Sequence, residues 1–286
     1  MYPRALEIQT TTACNARCII CPHKNVYYKT PPIYMDFAIF KKIIDEIKDH
    51  TEIRIIPYLN CEPLTDKGFL DKLRYIRQVC PQHTVEISSN ISLLNFDILE
   101  QLSDLHINDF RISFFGFSKK TYEKMMPGLQ WEKSYSRLSM LAEYHCRKKP
   151  FNQLSLVMIE HELLSDEDYK HAIDFCNQYG IEFHKWGFLD RAGNVQKFKN
   201  ELNRSKGRRI CEQKRPFERL HILADGSVIP CCQDWYAENL LGNIQDNTIC
   251  EIWSSTQFAS FRKQLSEAYG NAPDLCRRCK LFTPVD

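Results

Sequence analysis

Between residues 5 and 188 the chain repeatedly passes from a short run of β-forming residues to a stretch with helical spacing, and this alternation limits the fold more than any other feature. The strand candidates are Ala5 to Thr10, Ile53 to Leu59, Thr84 to Ser89, Asp109 to Phe115, Leu154 to Ile159 and Ile181 to Phe188. Helical patterns lie between them, near Asp36 to Lys48, Lys67 to Cys80, Asp97 to Leu105, Glu132 to Arg147 and Asp166 to Tyr179. In the clearest, Phe40, Ile43, Ile44 and Ile47 share one face behind Asp36, a suitable N-cap. Such repeats predict an α/β fold: a parallel sheet with helices outside, either doubly wound or a partial (β/α)6 barrel. In both, reactive groups gather at the C-terminal edge of the strands.

Thirteen cysteines raise the question of what they hold. The count is odd and the first residues lack the basic start and apolar run of a signal peptide, so a disulfide framework is not expected and clustered thiols point to metal. Cys14, Cys18 and Cys21 form a C-x3-C-x2-C loop directly after the first strand. Soft thiolates at that spacing select zinc, copper(I) or an iron-sulfur cluster, and three ligands on a four-iron cube leave one iron open. The alternatives are a zinc site completed by a remote ligand such as His23, or incidental buried cysteines.

The character of the chain changes after Arg191-Ala192-Gly193-Asn194, where residues 196–210 become polar and basic. A domain boundary is expected near 195–205, giving residues 1–198 and 199–286. In the second part Leu220 to Pro230 reads as a hairpin turning at Asp225-Gly226, and short helices are expected near Thr248 to Trp253 and Thr256 to Ala268. A hairpin delivers one thiolate and the terminal C-x2-C two more. Cys211, Cys231, Cys276 and Cys279 are therefore the second ligand set, in a small domain that bound metal would stabilise. A zinc ribbon would want two C-x2-C knuckles, and one is present. The spacing leaves open whether Cys231 or Cys232 is the ligand. Cys80, Cys146, Cys176 and Cys250 fall in helical patterns and read as small buried apolar residues.

The loop Cys14 to Cys21 after strand one resembles the radical S-adenosylmethionine (SAM) superfamily, and further segments extend the likeness. Asn60-Cys61-Glu62-Pro63 stands where the family has Gly-Gly-Glu-Pro, Ser89-Asn90 where Thr-Asn-Gly is common, and Ser113 ends the fourth strand. The resemblance implies a [4Fe-4S] cluster on Cys14, Cys18 and Cys21 whose open iron chelates SAM. It also implies that Asn60, Cys61 and Glu62 hold the cofactor's amino group, that Ser89, Asn90 and Ser113 lie along it toward the ribose, and that Ile20 packs on adenine. Two departures stand out: Asn60-Cys61 replaces a glycine pair and Ile91 replaces the glycine after Asn90. Cys211, Gly226, x4-Cys231, Gly242 to Ile244, Ile252-Trp253 and the late C-x2-C resemble the SPASM/Twitch extension of the same superfamily, here in its shorter Twitch form. That implies an auxiliary [4Fe-4S] cluster in a small α+β domain, and two clusters per chain.

Membership implies abstraction of hydrogen from an unactivated carbon by a 5′-deoxyadenosyl radical, with electrons supplied by a flavodoxin- or ferredoxin-type donor. The auxiliary cluster would then support dehydrogenation, or epimerisation if a thiol returns hydrogen; Cys232 is the candidate thiol. Arg191, with Asp190, follows the last strand and is a candidate to orient substrate. Trp186 and Phe188 are expected to pack the barrel mouth, and His23 and His184 carry no decisive signal. A sugar or aminocyclitol is the expected substrate, since the chain begins almost at strand one with no module to grip a leader peptide. A peptide-modifying maturase is the alternative, and a non-catalytic electron carrier would need neither Glu62 nor the long βα body. With 38 basic and 36 acidic residues no nucleic-acid partner is expected. Without a run of about 18 apolar residues no membrane span is expected either, and a cytoplasmic protein results.

Overall fold

The computed structural model describes residues 1–195, 209–266 and 271–284. Strands β1 (Ala5–Ile8), β2 (Arg54–Ile56), β3 (Glu86–Ser89), β4 (Asp109–Ser113), β5 (Gln153–Ile159) and β6 (Glu182–Trp186) lie parallel and in sequence order. A bridge between Ile55 and Val85 joins β2 to β3, which makes the sheet continuous. After β1 come α1 (His23–Val26) and α2 (Phe37–Ile47), and after β2 comes α3 (Phe69–Val79). Helix α4 (Phe96–Asp104) follows β3, α5 (Lys119–Met125) and α6 (Trp131–Lys148) follow β4, and α7 (Asp166–Tyr179) follows β5.

The local code works as read. Asp36 caps α2 by accepting from the Ala38 amide at 2.6 Å, and Phe40, Ile43, Ile44 and Ile47 are fully buried. Alternation along the strands buries Leu6, Ile8, Ile55, Ile87, Phe110 and Ile112. Polar residues at the intervening positions meet one another. Glu86 accepts from Arg54 at 2.8 Å, Arg111 at 2.6 Å and Tyr58 at 2.7 Å, and Arg111 also pairs with Asp109 at 2.7 Å. Trp186 is 42% exposed on the edge strand under the Arg111 guanidinium, so it does not pack a barrel mouth. Cys80 and Cys176 are buried as expected and Cys250 is half-buried, but Cys146 is exposed on the outer face of α6.

The C-terminal part contains β7 (Arg209–Cys211), α8 (Arg215–Glu218), β8 (Arg219–Ile222), β9 (Ser227–Ile229) and β10 (Gly242–Asn243). Helices α9 (Ile249–Trp253), α10 (Thr256–Ser266) and α11 (Asp274–Arg277) and strand β11 (Phe282–Pro284) complete it. The expected hairpin is β8–β9, turning at Gly226 with φ 84°. Strand β8 also lies parallel to β1, with Glu7 directly opposite His221, so the hairpin that leads to Cys231 extends the main sheet. Most of the expected boundary falls within 196–208, outside the described residues.

Candidate functional site

The loops after β1, β2 and β3 meet at the C-terminal edge of the sheet. The Glu62 amide donates to the Ala13 carbonyl at 3.1 Å, which sets Cys61 and Glu62 against the start of the cysteine loop. Asn15 inside that loop accepts from Asn90 Nδ2 at 3.0 Å and donates to Ser92 Oγ at 2.7 Å. The second residue of the C-x3-C motif therefore ties the loop to β3, a role its sequence position gave no reason to expect.

Glu62 is 2% exposed and lies at the centre. Its Oε1 accepts from Ser89 Oγ at 2.7 Å and from the Leu64 amide at 3.2 Å, and its Oε2 from the Asn90 amide at 2.7 Å. Burial pushes the carboxyl up to about 7, against the three donors that favour its charge. Asn60 and Ile91, which stand at two of the three glycine positions of the resembled motifs, both have φ 53°. The chain keeps a left-handed backbone there while carrying side chains, at a cost of about 1–2 kcal/mol each. Asn60 Nδ2 is buried with no hydrogen-bond partner. Ile20 is buried in the core, and Ser113 ends β4 half-buried.

Cys14, Cys18 and Cys21 are mutual electrostatic neighbours, with Cys61 and Glu62 beside Cys14 and Arg191 beside Cys21. Burial pushes all three thiols up, so alone they would stay protonated. A cationic iron-sulfur core on three thiolates relieves that cost, and the donor set fits it. Cys61 is likewise pushed up to about 12 by burial. His23 Nε2 bonds the Thr12 carbonyl at 2.7 Å, a contact that orders the segment after β1 and occupies one ring nitrogen. His184 lies 3.3 Å from Glu182 on β6, away from the loop.

In the second set, Cys211, Cys276 and Cys279 are neighbours of one another, and burial raises the thiols of Cys276 and Cys279, the latter to about 12. Cys231 and Cys232 form an adjacent pair. Arg215 links the two groups: it donates to Cys232 Sγ and faces Cys231 and Cys211. Hydrogen bonding to Cys231 and the facing Arg215 hold the Cys232 thiol low in spite of burial. Cys232 also shares a compact group with Glu7 and His221, their ligand atoms all within 4.8 Å. Burial would lower the His221 imidazole, but Glu7 and Cys232 outweigh it and raise it to about 9. Burial would likewise raise Glu7, yet His221 and Arg219, the latter at 2.7 Å, hold it near 2. The signal for this group was a lone charged or polar residue within each of two apolar strands, Leu6-Glu7-Ile8 and Leu220-His221-Ile222.

Asp190 accepts from the Ala192 amide at 3.1 Å and is a neighbour of Lys280 and Cys279, so the segment after β6 meets the terminal knuckle. Arg191 is an electrostatic neighbour of Cys21.

Comparisons with known proteins agree with this geometry. A radical SAM superfamily model matches residues 8–181, and an iron-sulfur cluster-binding SPASM domain matches residues 211–280. An S-adenosyl-L-methionine-dependent 2-deoxy-scyllo-inosamine dehydrogenase of Niallia circulans is 22% identical over 275 residues, covering 96% of this chain and 91% of that protein. The crystal structure of BtrN in complex with AdoMet and 2-DOIA superposes with a TM-score of 0.65 at 19% identity, covering 98% of this chain and 94% of that one. Streptococcus suis SuiB bound to its precursor peptide SuiA gives 0.72 at 14% identity, covering 98% and 70%. Among the described residues no helix is long and apolar enough to cross a membrane. Since the superfamily match takes in more than half of the sequence, with the SPASM match beyond it, the chain belongs to the radical SAM enzymes, which bind SAM and iron-sulfur clusters.

Proposed function

We propose that this chain abstracts hydrogen from a carbinol carbon of a small polyol, a sugar or aminocyclitol, and oxidises it to a ketone. The observation that carries the reading is co-extension with a 2-deoxy-scyllo-inosamine dehydrogenase over 96% of this chain and 91% of the other. When bound, SAM and the first cluster supply the 5′-deoxyadenosyl radical, and a second [4Fe-4S] cluster exchanges single electrons with substrate. Cys14, Cys18 and Cys21 would hold the first cluster in the 1–198 domain, and Cys211, Cys231, Cys276 and Cys279 the second in the 199–286 domain. Glu62 would receive the SAM amino group, with Asn60 Nδ2 and the Cys61 backbone beside it. Ser89 and Asn90 keep Glu62 in place, while Ser113 would meet the ribose and Ile20 the adenine. Arg191 would offset the charge of the first cluster and orient substrate near it. A flavodoxin- or ferredoxin-type donor in the cytoplasm would supply the electrons.

A second reading, modification of a ribosomally made peptide, draws on the higher TM-score of 0.72 to a peptide-bound relative. Within either reading Cys232 is the candidate to return hydrogen in an epimerisation. Anaerobic turnover of aminocyclitols and sugars in deuterated water decides. A ketone two hydrogens lighter, made equally by Cys232→Ala, is expected. An inverted product carrying solvent deuterium, lost in Cys232→Ala while 5′-deoxyadenosine still forms, would replace dehydrogenation by epimerisation.

A further inference from the structure

The C-terminal thiols surround a cation. Arg215 opens α8 just beyond Cys211, where the Lys214 amide donates to the Cys211 carbonyl at 3.0 Å and turns the chain back on itself. The guanidinium donates to Cys232 Sγ, and its Nε donates to Gln213 Oε1 at 2.7 Å. Cys211, Cys231 and Cys279 are its electrostatic neighbours as well, so it faces three of the four proposed ligands. Among the described residues no carboxylate forms an ion pair with it. Glu7, the acid in its surroundings, is already paired with Arg219 at 2.7 Å.

A guanidinium drawn in from solvent without a carboxylate is costly unless another anion offsets it. The anions that fit are the Cys232 thiolate it donates to and the proposed ligand thiolates it faces, and a four-iron cube held by four thiolates itself carries net negative charge. A fixed positive charge beside such a cube favours its reduced state, which is the more negative of the two, and so raises its reduction potential. We infer that Arg215 sets the reduction potential of the C-terminal cluster, raising it so that this cluster takes up the electron of the substrate radical. The inference rests on the reading above that these cysteines hold a four-iron cluster. The carbinol radical left by hydrogen abstraction would have in that cluster, held by Cys211, Cys231, Cys276 and Cys279, an acceptor for one electron. Its hydroxyl gives a proton to solvent, and the carbon-oxygen bond becomes a carbonyl. Arg215 is thus a tuning residue for the oxidative outcome and does not itself touch substrate.

The test is a mediated redox titration of the anaerobically reconstituted full chain, followed by electron paramagnetic resonance. The C-terminal signal is identified in the Cys14→Ala, Cys18→Ala, Cys21→Ala variant. Arg215→Met is expected to move the C-terminal potential to a more negative value while the N-terminal potential in the same protein stays put, with Arg215→Lys between wild type and Met. An unmoved C-terminal potential in an Arg215→Met protein with full iron overturns the inference. Should Arg215→Met shed the C-terminal iron, Arg215→Gln keeps a donor without the charge and decides by the same criterion: a negative shift sustains the role and an unmoved potential overturns it. Wild-type protein with about four irons and one signal, where two cubes would give about eight, would overturn the second-cluster reading and this inference with it.

Discussion

Replacing Glu62 tests the centre of the site on two independent scales. The carboxyl is 2% exposed and takes three donors, from Ser89 Oγ, the Asn90 amide and the Leu64 amide. In Glu62→Ala the buried Asn90 amide loses its partner at about 1–3 kcal/mol, and the Ser89 hydroxyl, free to rotate, loses about 1. Removing a carboxyl that burial has already raised to about 7 returns part of that. The net cost is about 2 kcal/mol, or roughly 4–8 °C in melting temperature for a chain of this size. Glu62→Gln keeps an acceptor and should lose about half as much. The second scale is cofactor affinity. A carboxylate has about four acceptor directions, and three donors leave one for the SAM ammonium. Losing that charge-assisted bond costs about 1.5–3 kcal/mol, a roughly 10- to 150-fold weaker SAM affinity. Ser89→Ala should lower the melting temperature without a comparable loss of affinity. Anaerobic calorimetry and equilibrium binding of SAM to the reconstituted protein supply both numbers. If Glu62→Ala melts within 1 °C of wild type, its oxygens do not anchor Asn90; if SAM affinity is unchanged, Glu62 leaves the cofactor site.

Other perturbations separate the remaining parts. Reconstituted protein should bind about eight irons, and Ala at Cys14, Cys18 and Cys21 should leave half by colorimetric assay; full retention would refute the first ligand set. Burial lowers and Glu7 with Cys232 raises the His221 imidazole, netting a folded value of about 9. Its contribution is complete below about 6.5, the unperturbed value, and lost as pH rises through 9. His221→Gln should therefore flatten the fall in melting temperature over that window, and an identical profile would refute the pairing. Gly226→Ala places a Cβ 2.8 Å from Asn243 Oδ1 at φ 84°, and should cost at least 1 kcal/mol with loss of C-terminal iron. Asn60→Gly frees a backbone held at φ 53° and should leave stability equal or up to about 1 kcal/mol higher, while a clear loss would show that the Asn60 side chain holds the turn.

The fold was legible where local signals agree with burial. Alternating strands and the spacing of Phe40, Ile43, Ile44 and Ile47 state which face is inside, and six parallel strands follow in sequence order. Helix α5 went unread because Lys119 to Met125 is short, and its start depends on a Ser118–Thr121 capping box without an acidic residue. The pairing of β8 with β1 was illegible for a different reason. Nothing local in Arg219 to Ile222 distinguishes a hairpin in its own domain from one added to a distant strand, since the deciding contact joins Glu7 to residues more than 200 positions away.

The site divides along the same line. Cysteine spacing is chemistry written locally, so both candidate sets could be named before any coordinates. What surrounds each of those cysteines is not local. Glu62 could be read as a group that meets a cofactor, yet its oxygens also fasten β3 to the loop after β2, so one carboxyl serves fold and site together. Asn60 and Ile91 look like departures that would disturb the cofactor bed. The backbone nonetheless takes the left-handed angle a glycine would adopt, which places the cost in conformational strain and keeps the loop path. Cys231 and Cys232 remain equivalent in spacing and differ in surroundings. Cys232 faces Arg215, His221 and Glu7, three residues no cysteine motif contains, and of these Arg215 also faces Cys231 and Cys211. These surroundings come from charges on β1, β8 and α8, far from Pro230 in sequence, so the spacing of the two cysteines does not record them.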